Sequence, residues 1–399
     1  MCPINEDPMT TGESLPYEII ADIFTRLPAE YVLLYCQAYR ALRPFTANSS
    51  FVEMHLQRAT PIIAFQWFSR SAIDKSKTIC KINLSFTDEN AKKIVTKRFE
   101  VDLRFGCPKR LCLPHLHSSC NGFLLLRNRL PDTAYFLWNP VIQEQVIVTT
   151  PIVTRPSRTE CTACGVFFHP TARDYRLLFT YNEGVRIKSM VLSLATKSTR
   201  LIPNTVSHPP DIVRPPIVLN GALHWMVDDI YYNSLRGDWP VCSDSIVFFN
   251  MNKEEFGTMS HPGDPCPLTG QHYLKGLVEM EEHLCYYDNS SHDELVIWML
   301  DDYEKQGWVK KHVIIIAEMR KSCMVLGVSI RSYREARVQV IHMYGDNLLL
   351  RVYYRNLFLY NLTLGTFRRV GKMSADSDSR VRAVGHINSL VSLSSTMMA

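Results

Sequence analysis

Two Leu-Pro pairs at residues 15–16 and 27–28, a strand-and-turn unit that recurs after residue 61, and a β-like run left over at the C-terminus predict the fold between them. The expectation is an α+β multidomain chain: a small three-helix module over residues 14–58, then an all-β propeller of about six blades over 61–395, closed by the C-terminal strand. At 399 residues the chain is long for a single simple core, so a small module beside a large repetitive domain suits its length. With 46% hydrophobic and 21% charged residues it has the composition of a folded protein.

The helical module comes first. Pro16 suits the first position of a helix, where its missing N–H costs nothing, and Ile19, Ile20, Ile23, Phe24 and Leu27 then share one face. Glu18 and Asp22 lie towards the start and Arg26 towards the end, in keeping with the helix dipole. Pro28 stops this helix and begins a second, in which Tyr31, Val32, Leu33, Tyr35 and Cys36 form a broad apolar face. A third short helix is expected from Ala38 to Arg43, ending at Pro44, with TANSS as a polar turn before FVEMHL.

From Pro61 the chain is written in short runs of Val, Ile, Leu, Phe and Tyr broken by Asn, Asp, Gly and Pro, the pattern of an all-β domain. Aligning FLWNPVIQEQVIV, MVLSLATKSTRLI, IVFFNMNKEEFGTM and LFLYNLTLGTFRRV places Asn139, Ser193, Asn250 and Asn361 in register. Two weaker copies put Met299 and Asn83 at the same position, giving intervals of 56, 54, 57, 49 and 62 residues. Each copy reads as a strand, an Asn-centred turn and an outer strand. A second element precedes it, as in SCNGFLLLRN, PIVLNGALHWMV and LKGLVEMEEHLCYY. About fifty residues holding four strands is one blade of a kelch-like propeller. The run GHINSLVSL, residues 385 to 393, has no blade of its own and is expected to pair with residues 61–105, which removes two exposed edges.

Composition narrows the partners. The net charge of +5 comes from 44 basic and 39 acidic residues spread along the chain, with no basic block, so no nucleic-acid partner is expected. No run approaches the roughly 20 apolar residues of a membrane span, and the N-terminus lacks the basic and apolar parts of a signal peptide. Twelve cysteines scattered singly suit reduced thiols, so a cytoplasmic or nuclear location is expected.

Candidate chemistry is sparse. Cys161 and Cys164 form a lone CxxC without the second pair a structural zinc site usually has, and read as a loop leading into a strand. His115, His117 and Cys120 read as a turn with surface histidines; His169 and His224 read as structural. Asp228, Asp229, Asp301 and Asp302 would matter only if a central channel gathered them, and hairpin turns are the default. Trp138, Trp225, Trp298 and Trp308 recur where neighbouring sheets would pack. No nucleophile elbow, metalloprotease helix or phosphate loop occurs, and neither copper-oxidase nor sialidase chemistry has a motif here. No catalytic residue, cofactor or metal is assigned.

Taken in order, these segments resemble plant F-box proteins that carry an F-box-associated propeller, the group that includes S-locus F-box-like proteins. LPYEIIADIFTRLPAEYVLLYCQAYRALR followed by FVEMHL is similar to the F-box pattern. SCNGFLLL, FLWNP, FHPTARDYRLL, VLNGALHW, FFNMNKEEF and LFLYNLTLGTFRRV are similar to the family's blade signatures, so the resemblance spans nearly the whole chain. It implies a non-catalytic substrate receptor of a Skp/cullin/F-box ubiquitin ligase: the F-box holds a Skp-type adaptor, and through it a cullin, while the propeller loops hold a protein target. The docking residues it implies are Leu15, Pro16, Ile19, Ile23, Leu27, Pro28 and Leu33. The third helix departs from the family pattern at Ala38, Tyr39, Arg40 and Leu42, and the alternative is a protein-binding propeller with a degenerate F-box and no ligase role. The loops VTRPSRTE, IYYNSLRGDWPVCSD and HPGDPCPLTGQHY are the longest candidates for target contact.

Overall fold

The computed structural model describes residues 16–68, 79–87, 94–102, 114–127, 134–149, 161–184, 186–266, 272–291, 293–317, 338–352, 356–370 and 380–393. Leu15, the loop VTRPSRTE and residues 267–271 of HPGDPCPLTGQHY lie outside them.

The N-terminal module has four helices rather than three: α1 (Tyr17–Thr25), α2 (Ala29–Ala38), α3 (Arg43–Ala47) and α4 (Ser49–Arg58), with a 3-10 turn at Arg40–Leu42. Both leading prolines, Pro16 and Pro28, stand in extended conformation at the helix N-termini. The expected third helix from Ala38 to Arg43 is not formed. Pro44 instead sits in the first turn of α3, where it removes no intrahelical hydrogen bond. FVEMHL, expected as a tail, is helical, because Asn48 caps α4 by accepting from the Phe51 N–H at 3.0 Å. Phe45, 2% exposed, stacks on Tyr17 and Phe24 with ring centroids at 4.7 and 5.8 Å and tilts against Phe51 at 5.0 Å. An aromatic cluster thus supplies what so small a module lacks in volume.

Among the described residues, six four-stranded antiparallel sheets follow. Blade 1 joins β1 (Ile62–Phe68), β2 (Ile79–Thr87) and β3 (Ile94–Asp102) to the C-terminal β24 (Arg380–His386). Blade 2 holds β4 (His115–Cys120), β5 (Phe123–Arg127), β6 (Tyr135–Asn139) and β7 (Glu144–Val148); blade 3 holds β8 (Cys161–His169), β9 (Asp174–Glu183), β10 (Arg186–Ser193) and β11 (Thr199–Val206). Blade 4 holds β12 (Ile217–Leu219), β13 (Ala222–Met226), β14 (Ile246–Asn250) and β15 (Glu255–Met259), and blade 5 holds β16 (Lys275–Met280), β17 (His283–Asp288), β18 (Glu294–Asp302) and β19 (Gly307–Ile315). Blade 6 holds β20 (Val338–Tyr344), β21 (Asn347–Val352), β22 (Asn356–Asn361) and β23 (Thr366–Arg369).

The core lies between blades. One apolar cluster fills each neighbouring pair, from Leu84 against Leu126 between blades 1 and 2 round to Leu349 against Phe65 between blades 6 and 1. The ring is therefore closed by side chains as well as by strand pairing. Trp138 and Trp225 are buried in these clusters, and Trp298 and Trp308 pack at the edge of another.

The recurring Asn has a local cause. At the end of the third strand in blades 2 to 6, a side-chain oxygen accepts a backbone N–H inside the following turn: Asn139 from Val141, Ser193 from Thr196, Asn250 from Lys253, Asp302 from Lys305 and Asn361 from Leu364, at 2.7 to 3.1 Å. The residue four places on adopts positive φ in every case: Gln143, Lys197, Glu254, Gln306 and Gly365. By this geometry Asp302, not Met299, is the repeat position of blade 5. Met299 lies inside β18, paired with Cys285. Asn83 likewise lies within β2 opposite Arg98, so the two weaker copies were offset along their strands.

The closing strand also differs from its expected register. Arg380–His386 pairs with Ile62–Phe68 over seven residues, so only Gly385 and His386 of the run 385–393 are in the sheet. The rest crosses the end of blade 2. Asn139 donates to the carbonyls of Ser389 and Val391 at 3.1 and 2.9 Å, and Ser389 Oγ donates to the Asn121 carbonyl at 2.6 Å. Gly122, at φ 94°, leaves room for that crossing, because a Cβ there would overlap Ser389.

Topology gives the two ends of the propeller different characters. Among the described residues, the first-to-second and third-to-fourth strand connections of blades 2 to 6 are tight, including the two-residue turns Asn121-Gly122, Asn220-Gly221 and Glu281-Glu282, in which both residues have positive φ. Residues 227–245, between the second and third strands of blade 4, and residues 260–266 and 272–274, between blades 4 and 5, lie at the opposite end. One end is short turns; the other carries the long loops.

Candidate functional site

The helical module is fastened to the tight-turn end. Val141 and Ile142 of the β6–β7 turn and Leu390 enter its apolar core with Ala21, Val32, Cys36 and Phe51, while Val52 and Leu56 of α4 reach the cluster between blades 2 and 3. Glu30 meets Lys97 at 3.1 Å and accepts from Asn388 at 2.8 Å; Glu53 meets Arg173 at 3.3 Å. Within the module His55 Nε2 lies 2.8 Å from the Leu27 carbonyl, and Arg58 binds Asp22 at 2.6 Å. The Arg58 guanidinium, helped by Arg26, holds the Asp22 carboxyl below its ordinary range.

The other side of the module is uncovered and apolar. Ile19 and Ile23, one helical turn apart on α1, are 47% and 46% exposed. Tyr31, Leu34 and Tyr35 of α2 are also exposed. Pro16 and Pro28 stand at the surface, whereas Leu27 and Leu33 are half-buried against the module's own core. Helical periodicity does separate Leu34 from Leu33, but it could not show which face the propeller takes, and so Leu34 was missed.

The other sequence candidates disperse. Cys161 and Cys164 belong to strand β8 and not to a loop, and they face different inter-blade clusters, one towards blade 2 and the other towards blade 4. Burial pushes the Cys164 thiol up to about 11. His115, His117 and Cys120 are likewise not a turn but strand β4. His117 is buried, with Nε2 2.9 Å from the Cys164 carbonyl, and burial with Arg127 nearby keeps its pKa well below the ordinary value. His169 Nδ1 accepts the Ala172 N–H at 3.1 Å and closes a turn. Asp228 caps the helix α5 (Asp229–Arg236) and Asp229 pairs with His272, both at the long-loop end, while Asp301 and Asp302 lie at the tight-turn end. The four carboxylates therefore share no channel. The inner strands do enclose a cavity of about 320 Å³, lined by Cys120, Ile217, Leu277, Val340 and Val384 among others.

His224 is fully buried, its Nε2 2.6 Å from the Tyr303 hydroxyl, and burial lowers its pKa to about 4; burial lowers His386 to about 3. In an unfolded chain both would titrate near ~6.5. Since the folded values are depressed, their contribution to stability is complete above ~6.5 and is lost as pH falls towards 4. Melting temperature should fall steeply between pH 7 and pH 4.5, and less steeply in a His224→Gln variant. Parallel profiles for the two proteins would contradict this origin.

At the long-loop end, the segment after β13 contains α5 and a 3-10 turn at Cys242–Asp244, and the segment after β15 contains His261, Cys266 and a 3-10 turn at His272–Leu274. Cys242, His261, Cys266 and His272 converge here, the only group of three or more metal-capable side chains among the described residues. Burial alone would lower the His272 pKa, but the Asp229 carboxylate outweighs it and raises the value. The sequence named both loops as candidates without detecting the cluster, since its four members are spaced unlike any short motif and come from two segments.

Comparison with known proteins places these features. The profile of the F-box associated beta propeller domain matches residues 69–388. An F-box protein of Arabidopsis thaliana is 24% identical over 331 residues, covering 76% of this chain and 73% of the relative. A putative F-box protein of the same plant is 22% identical over 330 residues, covering 79% and 83%. Among solved structures, TolB from Acinetobacter baumannii is similar with a TM-score of 0.44 and 10% identity, over 85% of this chain and 70% of that one.

Proposed function

Because this chain belongs to the plant F-box-associated β-propeller family, we propose that it is the substrate-recognition subunit of a Skp/cullin/F-box ubiquitin ligase. In this reading the helical module binds a Skp-type adaptor, and through it a cullin, and the long-loop end of the propeller holds a protein target. Ubiquitin transfer is left to the recruited enzymes. The observation that carries the reading is the two-sidedness of the module: one side is packed on the propeller, and the other leaves Ile19, Ile23, Tyr31, Leu34 and Tyr35 in water. A module fixed at one end and loops at the other would hold adaptor and target apart on a rigid body. A partner groove that takes an amphipathic helix face is the natural cover for such a surface.

The docking set is Leu15, Pro16, Ile19, Ile23, Leu27, Pro28 and Leu33, and the exposed members are the useful ones to test. A charge at Leu27 would enter the module's own core, so its effect would confuse unfolding with lost contact. The double variant Ile19→Asp/Ile23→Asp is expected to weaken adaptor binding at least ~100-fold, from two interface anchors at roughly 2 kcal/mol each. Isothermal titration with the purified adaptor checks it. Unchanged affinity in a variant that melts like the wild type would refute adaptor docking through this face.

The alternative, a protein-binding propeller with no ligase role, is favoured by the break between α2 and α3, where Tyr39 is extended and Arg40–Leu42 form a 3-10 turn. Partner abundance that does not change under proteasome inhibition would select it. A cytoplasmic or nuclear location is also proposed, supported by free thiols at Cys36, Cys120, Cys164, Cys242, Cys266 and Cys285. Imaging of a tagged chain in a secretory compartment would overturn that location.

A further inference from the structure

We propose that Cys242, His261, Cys266 and His272 form a tetrahedral zinc site that staples the loop within blade 4 to the segment that joins blades 4 and 5, on the long-loop end of the propeller. The inference rests on the fold and the side chains alone, and stands whether or not the adaptor binds.

The four donor atoms lie within 4.8 Å of one another. A tetrahedron with bonds of ~2.0 Å to nitrogen and ~2.3 Å to sulfur has edges of roughly 3.3–3.8 Å, so small side-chain movements close the shell. Two thiolates and two imidazoles are the donor set that suits Zn²⁺, being tetrahedral and mixed sulfur and nitrogen. They neutralise the dication, and the two thiol protons leave to solvent when the metal enters.

The surroundings point the same way. His261 lies with Nδ1 2.7 Å from the Pro262 carbonyl, so Nε2 is the nitrogen left for a ligand, 3.5 Å from Cys266 Sγ. His272 lies with Nδ1 2.7 Å from Asp229 Oδ1, both groups almost wholly buried. Its Nε2 is buried, and the Cys242 thiol is the polar group that His272 meets beyond Asp229. A carboxylate and a carbonyl behind the two rings are the partners that fix the tautomer of ligating histidines. The Cys266 N–H donates to Cys242 Sγ at 3.3 Å, which also favours a thiolate there. Tyr286 stacks on His261 with centroids at 5.4 Å and closes one side against water.

The consequence is mechanical. Cys242 stands just before β14, the other three ligands stand between β15 and β16, and Asp229 begins α5. One ion would join both loops and, through Asp229, fix α5 above blade 4. Loops with little apolar core of their own gain order from such a clip.

The test uses the full chain purified under reducing conditions. Elemental analysis should find one zinc per chain, and the cobalt-substituted protein should show the strong visible bands of tetrahedral cobalt with thiolate charge transfer. Cys242→Ser/Cys266→Ser should lose the metal, whereas Cys285→Ser should keep it. Because the cobalt spectrum is read on the wild type, it does not depend on a variant folding. Wild-type protein that takes up no zinc when offered one equivalent overturns the proposal. So does a metal retained in Cys242→Ser/Cys266→Ser, or a Cys242–Cys266 disulfide that persists in reductant in place of a metal.

Discussion

A chain ending before Arg380 is expected to show no cooperative thermal transition. The missing strand supplies the inner position of blade 1, seven residues paired with β1, and the truncation exposes that edge. It also removes Val381 and Ala383 from the cluster between blades 6 and 1, Val384 from that between blades 1 and 2, and Leu390, Val391 and Leu393 from the tight-turn end. At ~1–3 kcal/mol for each larger apolar side chain, the loss is on the order of 10 kcal/mol. Domains are stable by only ~5–15 kcal/mol, so little would remain. Differential scanning calorimetry checks it, and a separate peptide of residues 380–393 should restore a transition if the defect is ring closure. A truncated chain that melts cooperatively near the wild-type temperature would show that the ring holds without its closing strand.

The second large effect is expected at Asn139→Leu. Asn139 is wholly buried; it donates to the carbonyls of Ser389 and Val391 and accepts the Val141 N–H. Leucine has a similar volume and none of these bonds, so three buried backbone groups lose their partner. At ~1–3 kcal/mol for each such group, destabilisation of about 3–9 kcal/mol follows, a melting-temperature drop of roughly 10 °C. The comparison is Asn250→Leu at the same place in the repeat. There the side chain accepts only from Asn252 and Lys253 in an exposed turn, and water replaces it at a cost of about 1 kcal/mol. Equal losses at the two positions would mean that the clamp on the C-terminal segment contributes nothing.

Much of the fold was legible because its signals are local. The Leu-Pro pairs start helices through proline's fixed φ and missing N–H, and both α1 and α2 begin where those pairs stand. The spacing of Asn139, Ser193, Asn250 and Asn361 marked four third-strand ends, since each turn needs its own side-chain acceptor. Where the turn signal was weak, register failed: the two fainter copies, which put Met299 and Asn83 at the repeat position, were offset along their strands, and a period of two residues does not say where a strand stops. Pro44 was read as a stop although it serves equally as a start, and the packing of Phe45 settled which.

The sequence by itself determined the order of the blades and their number to about six, the starts of α1 and α2 and most of the turn chemistry, because each depends on residues within a few positions of one another. Only the tertiary structure decided which copy of the repeated Asn is buried beneath the C-terminal segment, which side of the N-terminal helices is left in water, and that Cys242 and His272, thirty residues apart, face each other across two loops. Those are properties of surfaces brought together by ring closure. No local pattern carries them, because the energy that selects them comes from contacts between segments that the chain order does not make neighbours.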